Sequence, residues 1–118
     1  YNGYVIESNG DGPTRRILFA GDTAYTPLFA GLKASRDFDL ALMPIGAYNP
    51  WIRVHCNPEQ AWRMANDAGA GLFFPIHHQT FPLGREPVHE PMERLFTAAG
   101  NSTGRIALRT VGEEVAVG

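Results

Sequence analysis

Short apolar runs that break on turn-forming or polar residues are the strongest constraint on this chain. Tyr4–Ser8 and Arg16–Ala20 are apolar, β-branched or aromatic runs separated by Asn9-Gly10-Asp11-Gly12-Pro13, a spacing that predicts an antiparallel hairpin. Asp39–Pro44 and Leu72–Ile76 read as two buried strands. Helical patterns lie between them. From Pro27 to about Ala34, Leu28, Phe29 and Leu32 fit a short amphipathic helix. Asn57-Pro58-Glu59-Gln60 is a helix start: Asn57 caps, Pro58 takes the first helical position, and Gln60 can reach back as in a capping box. That helix is expected to run to about Ala68, where Gly69 stops it. Pro91–Ala99 is predicted as a further capped helix, and Arg105–Leu108 with Glu113–Val117 as a final pair of strands. Thirteen Gly and nine Pro argue against a long helical bundle. The alternation predicts an α/β fold, a sheet covered by helices, forming one unit over residues 1–118 without repeats or linkers.

Charge and cysteine usage narrow the function classes. Ten Lys and Arg against twelve Asp and Glu leave a net charge of -2, with Lys33 the sole lysine. No cationic stripe is available to displace counterions from a nucleic-acid backbone, so nucleic acid is not an expected partner. The longest apolar stretches, Phe38–Ile45 and Gly71–Ile76, fall far short of the roughly 18 apolar residues of a membrane span. Cys56 stands alone and can build neither an internal disulfide nor a thiolate metal cage. With no signal-like opening segment, a reducing, cytoplasmic setting is the expectation. The chain enters strand-like sequence without an initiator methionine or a polar lead-in, the pattern of a piece of a longer protein or of a trimmed domain.

Polar residues collect where the apolar strands end, and in α/β layers chemistry usually sits at those carboxyl edges. Asp22 follows Ile17–Ala20 and a glycine that permits a sharp turn, which aims it out of the sheet; a turn or cap aspartate would look the same. A second strand delivers His77 to its end. Paired with Asp22, it is a candidate metal ligand, because neutral imidazole and carboxylate are the usual nitrogen and oxygen donors for zinc, manganese or iron. His78 points the other way along an extended chain and is assigned to the wall of the site or to structure. His55 precedes the capping Asn57 by two residues, close to a positive helix end that keeps its ring neutral. An acid/base role beside the reaction centre fits, as does a plain surface histidine. Cys56 faces away from its neighbour and is not expected to be a nucleophile. Glu86-Pro87 and Glu90-Pro91 read as structural, with glutamate serving a helix dipole. Tyr48, Trp51 and Phe81 sit in Pro-rich loops where they line a substrate groove or cover the core.

Taken together, Ile17–Thr23 with Tyr25, Asp39–Tyr48, His55-Cys56-Asn57-Pro58-Glu59-Gln60-Ala61, and Ile76–Phe81 through Glu86-Pro87 and Glu90-Pro91 resemble metal-dependent hydrolases of the metallo-β-lactamase superfamily. Within that superfamily the chain most resembles N-acylphosphatidylethanolamine-hydrolysing phospholipase D and related bacterial proteins. The resemblance implies an αββα sandwich of which this chain is the carboxyl-terminal half, a mixed sheet with helices on one face. It implies a two-metal site, usually zinc, in which Asp22 bridges both metals, His77 binds one, and His55 lies by the reaction centre. A bridging carboxylate holds two cations about 3.5 to 4 Å apart for in-line attack on a phosphodiester or ester, small-molecule or lipid. The family's His-x-His-x-Asp-His motif is missing from the four histidines present. The isolated chain is therefore expected to have an incomplete zinc site and negligible hydrolysis. Its open sheet face is expected to pack in a homo-oligomer or against the missing amino-terminal half. The alternative is a non-catalytic half-domain serving as a binding or assembly module. A phospho-acceptor role for Asp22 lacks the companion acids and strand lysine that it needs.

Overall fold

The computed structural model describes residues 3–34 and 37–117. β1 (Tyr4–Glu7) and β2 (Arg16–Phe19) form the antiparallel hairpin, Tyr4 opposite Phe19 and Glu7 opposite Arg16. β3 (Phe38–Pro44) and β4 (Ala70–Ile76) add in parallel, giving the sheet order β1-β2-β3-β4. A 3₁₀ helix, Pro27–Ala34, lies between β2 and β3. The short α1 (Tyr48–Trp51) and α2 (Pro58–Asp67) lie between β3 and β4, and α3 (Glu90–Ala99) runs into a 3₁₀ turn, Gly100–Arg105. No helix among the described residues is long and apolar enough to cross a membrane.

Register explains how the helices attach. Leu18, Ala41 and Phe73 stand side by side across three parallel strands and all are buried. With Met43 they make the apolar face on which α2 lays Ala61, Met64 and Ala65, with the Trp62 ring 5.5 Å from that of Phe73. α3 contributes Leu95 and Ala99 to the same core. The other face carries two apolar rows, Tyr4-Phe19-Leu42-Phe74 and Ile6-Ile17-Leu40-Leu72, in which only Leu40 is buried. Tyr4 and Ile6 are 56% and 53% exposed. The result is an α/β half-domain with a mixed sheet and its helices on one face.

Most expected elements form within a residue or two of their expected bounds. The start of α2 does so in chemical detail: Asn57 Oδ1 accepts from Gln60 N at 2.8 Å while Gln60 Oε1 accepts from Asn57 N at 3.0 Å. Four expectations need correction. The Pro27–Ala34 segment is a 3₁₀ helix, and Leu28 is 77% exposed, leaving Phe29 and Leu32 to pack on the core. α3 has no side-chain cap, since His89 makes none. Arg105–Leu108 is reduced to one bridge between Ile106 and Phe73, because Ile106 N is already bound to Thr103 O and Leu108 takes a left-handed φ of 55°. Glu113–Val117 forms no strand, and its start is held in a turn in which Glu113 accepts from Thr110 Oγ1 and from Arg109 N.

The reciprocal bonds at Asn57 make it a test of the α2 start. Asn57→Ala is expected to cost about 1 kcal/mol of stability, read as a lower midpoint in chemical denaturation.

Candidate metal centre

Because β2, β3 and β4 run parallel, their carboxyl ends share one edge, and the candidate residues meet there. Gly21, at φ 65°, turns the chain out of the sheet line so that Asp22 leaves it at once. At the end of β4, His77 itself adopts φ 62°, a conformation uncommon for a residue with a β-carbon. His55 arrives by a different route, from the segment between α1 and α2. Its neighbour Cys56 fastens that segment: Cys56 N donates to Thr23 O at 2.8 Å, and the thiol donates to Pro44 O at 3.3 Å. The His55 segment is thereby tied both to the Asp22 turn and to the end of β3.

His77 Nε2 lies 3.7 Å from Asp22 Oδ1, and the His55 and His77 rings stack with centroids 5.1 Å apart and planes 24° from parallel. One donor atom from each of Asp22, His55 and His77 falls within 4.8 Å of the others. The three open into a shallow recess of about 330 Å³ walled by Ala47, Trp51, Val54 and Leu83. Burial lowers the His55 pKa, the nearby His77 ring lowers it further, and Asp22 and Glu86 oppose the shift. The ring is thus kept neutral, with a lone pair to offer. Burial also pushes the Cys56 thiol up to about 12, so it stays protonated and serves as a hydrogen-bond donor.

The donor chemistry fits a divalent metal. Nδ1 of His55, His77 and His78 is buried and meets no hydrogen-bond partner among the described residues, so this feature is shared by a histidine outside the recess. Buried polar atoms are ordinarily paired, and an unpaired one costs about 1 to 3 kcal/mol. His77 and the half-exposed Asp22 carboxylate offer a nitrogen and an oxygen donor of the kinds that first-row divalent metals take, with the His55 ring stacked beside them.

Other expected residues are distributed differently. Trp51, 53% exposed, stands on the recess wall. Tyr48 is buried outside it, with its hydroxyl donating to the Glu90 carboxylate; burial and that bond raise its pKa. Phe81, 70% exposed, lines a smaller neighbouring recess shared by His78 and Glu86. His78 lies outside the recess that holds Asp22, and burial lowers its pKa. Glu86 accepts from Asn49 N at 2.9 Å, so the two Glu-Pro glutamates anchor the α1 segment. Sequence reasoning did not single out Val54 or Leu83, and it took Gly46 and Ala47 only as part of the Asp39–Tyr48 run, with no role of their own.

Residues 2–78 match the beta-lactamase superfamily domain. The chain belongs to the metallo-β-lactamase superfamily, a hydrolase family that works with a bound metal. An uncharacterized protein of Mycobacterium tuberculosis is 43% identical over 109 residues, covering 88% of this chain and 29% of that protein. A metal-dependent hydrolase of Methanoculleus marisnigri is 34% identical, covering 98% of this chain and 46% of its own length. An N-acyl-phosphatidylethanolamine-hydrolyzing phospholipase D of Caenorhabditis elegans is 36% identical over 91 residues, or 71% of this chain and 25% of its own. Among solved structures, a metallo hydrolase from the archaeon Ignicoccus hospitalis superposes with a TM-score of 0.61 at 24% identity, covering 89% of this chain and 41% of that one. The chain thus spans less than half the length of these relatives.

The buried thiol gives a direct check on the metallo-β-lactamase site edge. At pH 8, native protein is expected to resist alkylation of Cys56 by iodoacetamide and to react readily once denatured. Fast stoichiometric labelling of the native form would contradict the clasp between Thr23, Pro44 and Cys56.

Proposed function

We propose that this chain is the carboxyl-terminal half of a zinc-dependent hydrolase of phosphodiesters or esters, in which Asp22 and His77 hold metal and His55 handles a proton. The observation that carries the reading is the convergence of Asp22, His55 and His77 at one strand edge, with one donor atom of each within 4.8 Å of the others. Its length relative to the relatives, and the two apolar rows on the open sheet face, support its being one half of a sandwich closed by the rest of the protein.

The residues divide the work by their chemistry. Zinc held by Asp22 and His77 would supply Lewis acidity toward a phosphoryl or carbonyl oxygen. Asp22 brings the negative charge and two oxygens needed to serve two cations. His77 brings a neutral nitrogen from a backbone position held at the end of β4. His55, kept neutral by burial, can accept a proton from the attacking water and pass it to the leaving oxygen. Trp51, Val54 and Leu83 give the recess an apolar wall that suits an ester with an apolar group, small-molecule or lipid.

The test uses the intact protein, elemental metal analysis and a chromogenic phosphodiester. Asp22→Asn and His77→Ala are expected to lose metal and activity while remaining folded, since an amide cannot serve two cations equally. His55→Ala is expected to keep its metal and lose about 100-fold or more in turnover. Full metal content in both Asp22→Asn and His77→Ala would overturn the ligand assignment, and metal loss in His55→Ala would make His55 a ligand.

A further inference from the structure

We propose that Gly46 is a positioning residue that aims His77 at Asp22 before any metal is bound. The inference rests on the reading of His77 as a metal ligand. β3 and β4 stay in register to their ends, with Pro44 beside Ile76 and Ile45 N donating to Ile76 O at 3.1 Å. One residue further on, Gly46 meets the peptide that follows His77. A β-carbon on Gly46 would fall on the His77 carbonyl oxygen, with the carbonyl carbon at 3.3 Å and His78 Cα at 3.4 Å. The bare Cα of Gly46 is therefore the seat on which the His77 carbonyl rests.

That seat controls the imidazole because carbonyl and side chain leave the same Cα. At φ 62° His77 sits in a narrow left-handed well, held only if its surroundings over-determine it. Ala47, the next residue after Gly46, also has φ 62° and forms part of the recess wall, so two left-handed turns abut here. Pushing the His77 carbonyl outward would rotate the Cα and swing Nε2 from its place 3.7 Å from Asp22 and the ring from its stack on His55. Sites of this kind tolerate about 0.5 Å of displacement, and the clash is larger than that. The segment that would yield is the irregular, half-exposed His77–Thr80 stretch rather than the core, so the fold survives the displacement. Gly71, at the other end of β4, offers the control: a β-carbon there makes only ordinary contact, 3.4 Å from Asp39 O.

The experiment compares the intact protein with its Gly46→Ala and Gly71→Ala variants, using zinc affinity by chelator competition and the His77–His55 ring contact by nuclear Overhauser effect without metal. Gly46→Ala is expected to weaken zinc binding at least tenfold and to lose the ring contact, with Gly71→Ala unchanged in both. Wild-type affinity and an intact ring contact in Gly46→Ala would overturn the proposal. Should Gly46→Ala fail to fold, the metal-free wild type decides: the ring contact present without zinc supports the proposal, and a contact that appears only on adding zinc overturns it. A wild type that shows the ring contact but binds no zinc would defeat the metal reading, while the ring contact in Gly46→Ala would still decide the role of Gly46.

Discussion

Leu18, Ala41 and Phe73, lying in one line across β2, β3 and β4, form the contact on which the rest of the structure depends. Full burial of a side chain the size of Leu or Phe is worth roughly 1.5 to 3 kcal/mol, and these residues are buried in the core that α2, α3 and the Pro27–Ala34 helix complete. A slip of one residue in any strand would turn them to the other face and destroy the seat of α2. The same register brings the ends of β2, β3 and β4 to a common edge. The packing that stabilises the sheet therefore also brings Asp22 and His77 together.

The candidate site edge carries local conformational and hydrogen-bonding costs. His77 occupies a left-handed backbone position, and the buried Nδ1 atoms of His55, His77 and His78 stay unpaired among the described residues. Those costs are tolerated because the edge is held from behind. Cys56 joins Thr23 and Pro44, Ile45 bonds Ile76, and the Glu86 and Glu90 carboxylates hold the Tyr48–Trp51 turn. A neutral thiol suits this role, since a thiolate enclosed at zero exposure would have no compensating charge.

Much of the fold was legible because its signals are local. The β1–β2 turn, the Asn57–Gln60 capping box and the apolar runs of β3 and β4 each act over a few residues, and each formed. The ends of the chain were not legible in this way. Arg105–Leu108 has strand composition, but a strand needs a partner ladder, and the Thr103 and Phe73 carbonyls left room for one bridge only. Leu28 carries the right hydrophobicity, yet the tighter turn of a 3₁₀ helix moves it off the buried side.

The same division runs through the candidate site. The sequence by itself determined that Asp22 and His77 close apolar strands, that His55 precedes a capped helix, and that Cys56 has no cysteine partner, because each follows from order and spacing along the chain. Only the tertiary structure decided that His55 stacks on His77, that Tyr48 turns inward to Glu90 while Trp51 stays on the recess wall, and that Gly46 lies against the His77 carbonyl. Those facts depend on which strand ends abut and on a few tenths of an ångström between peptide groups distant in sequence, and no local pattern of residues encodes such distances.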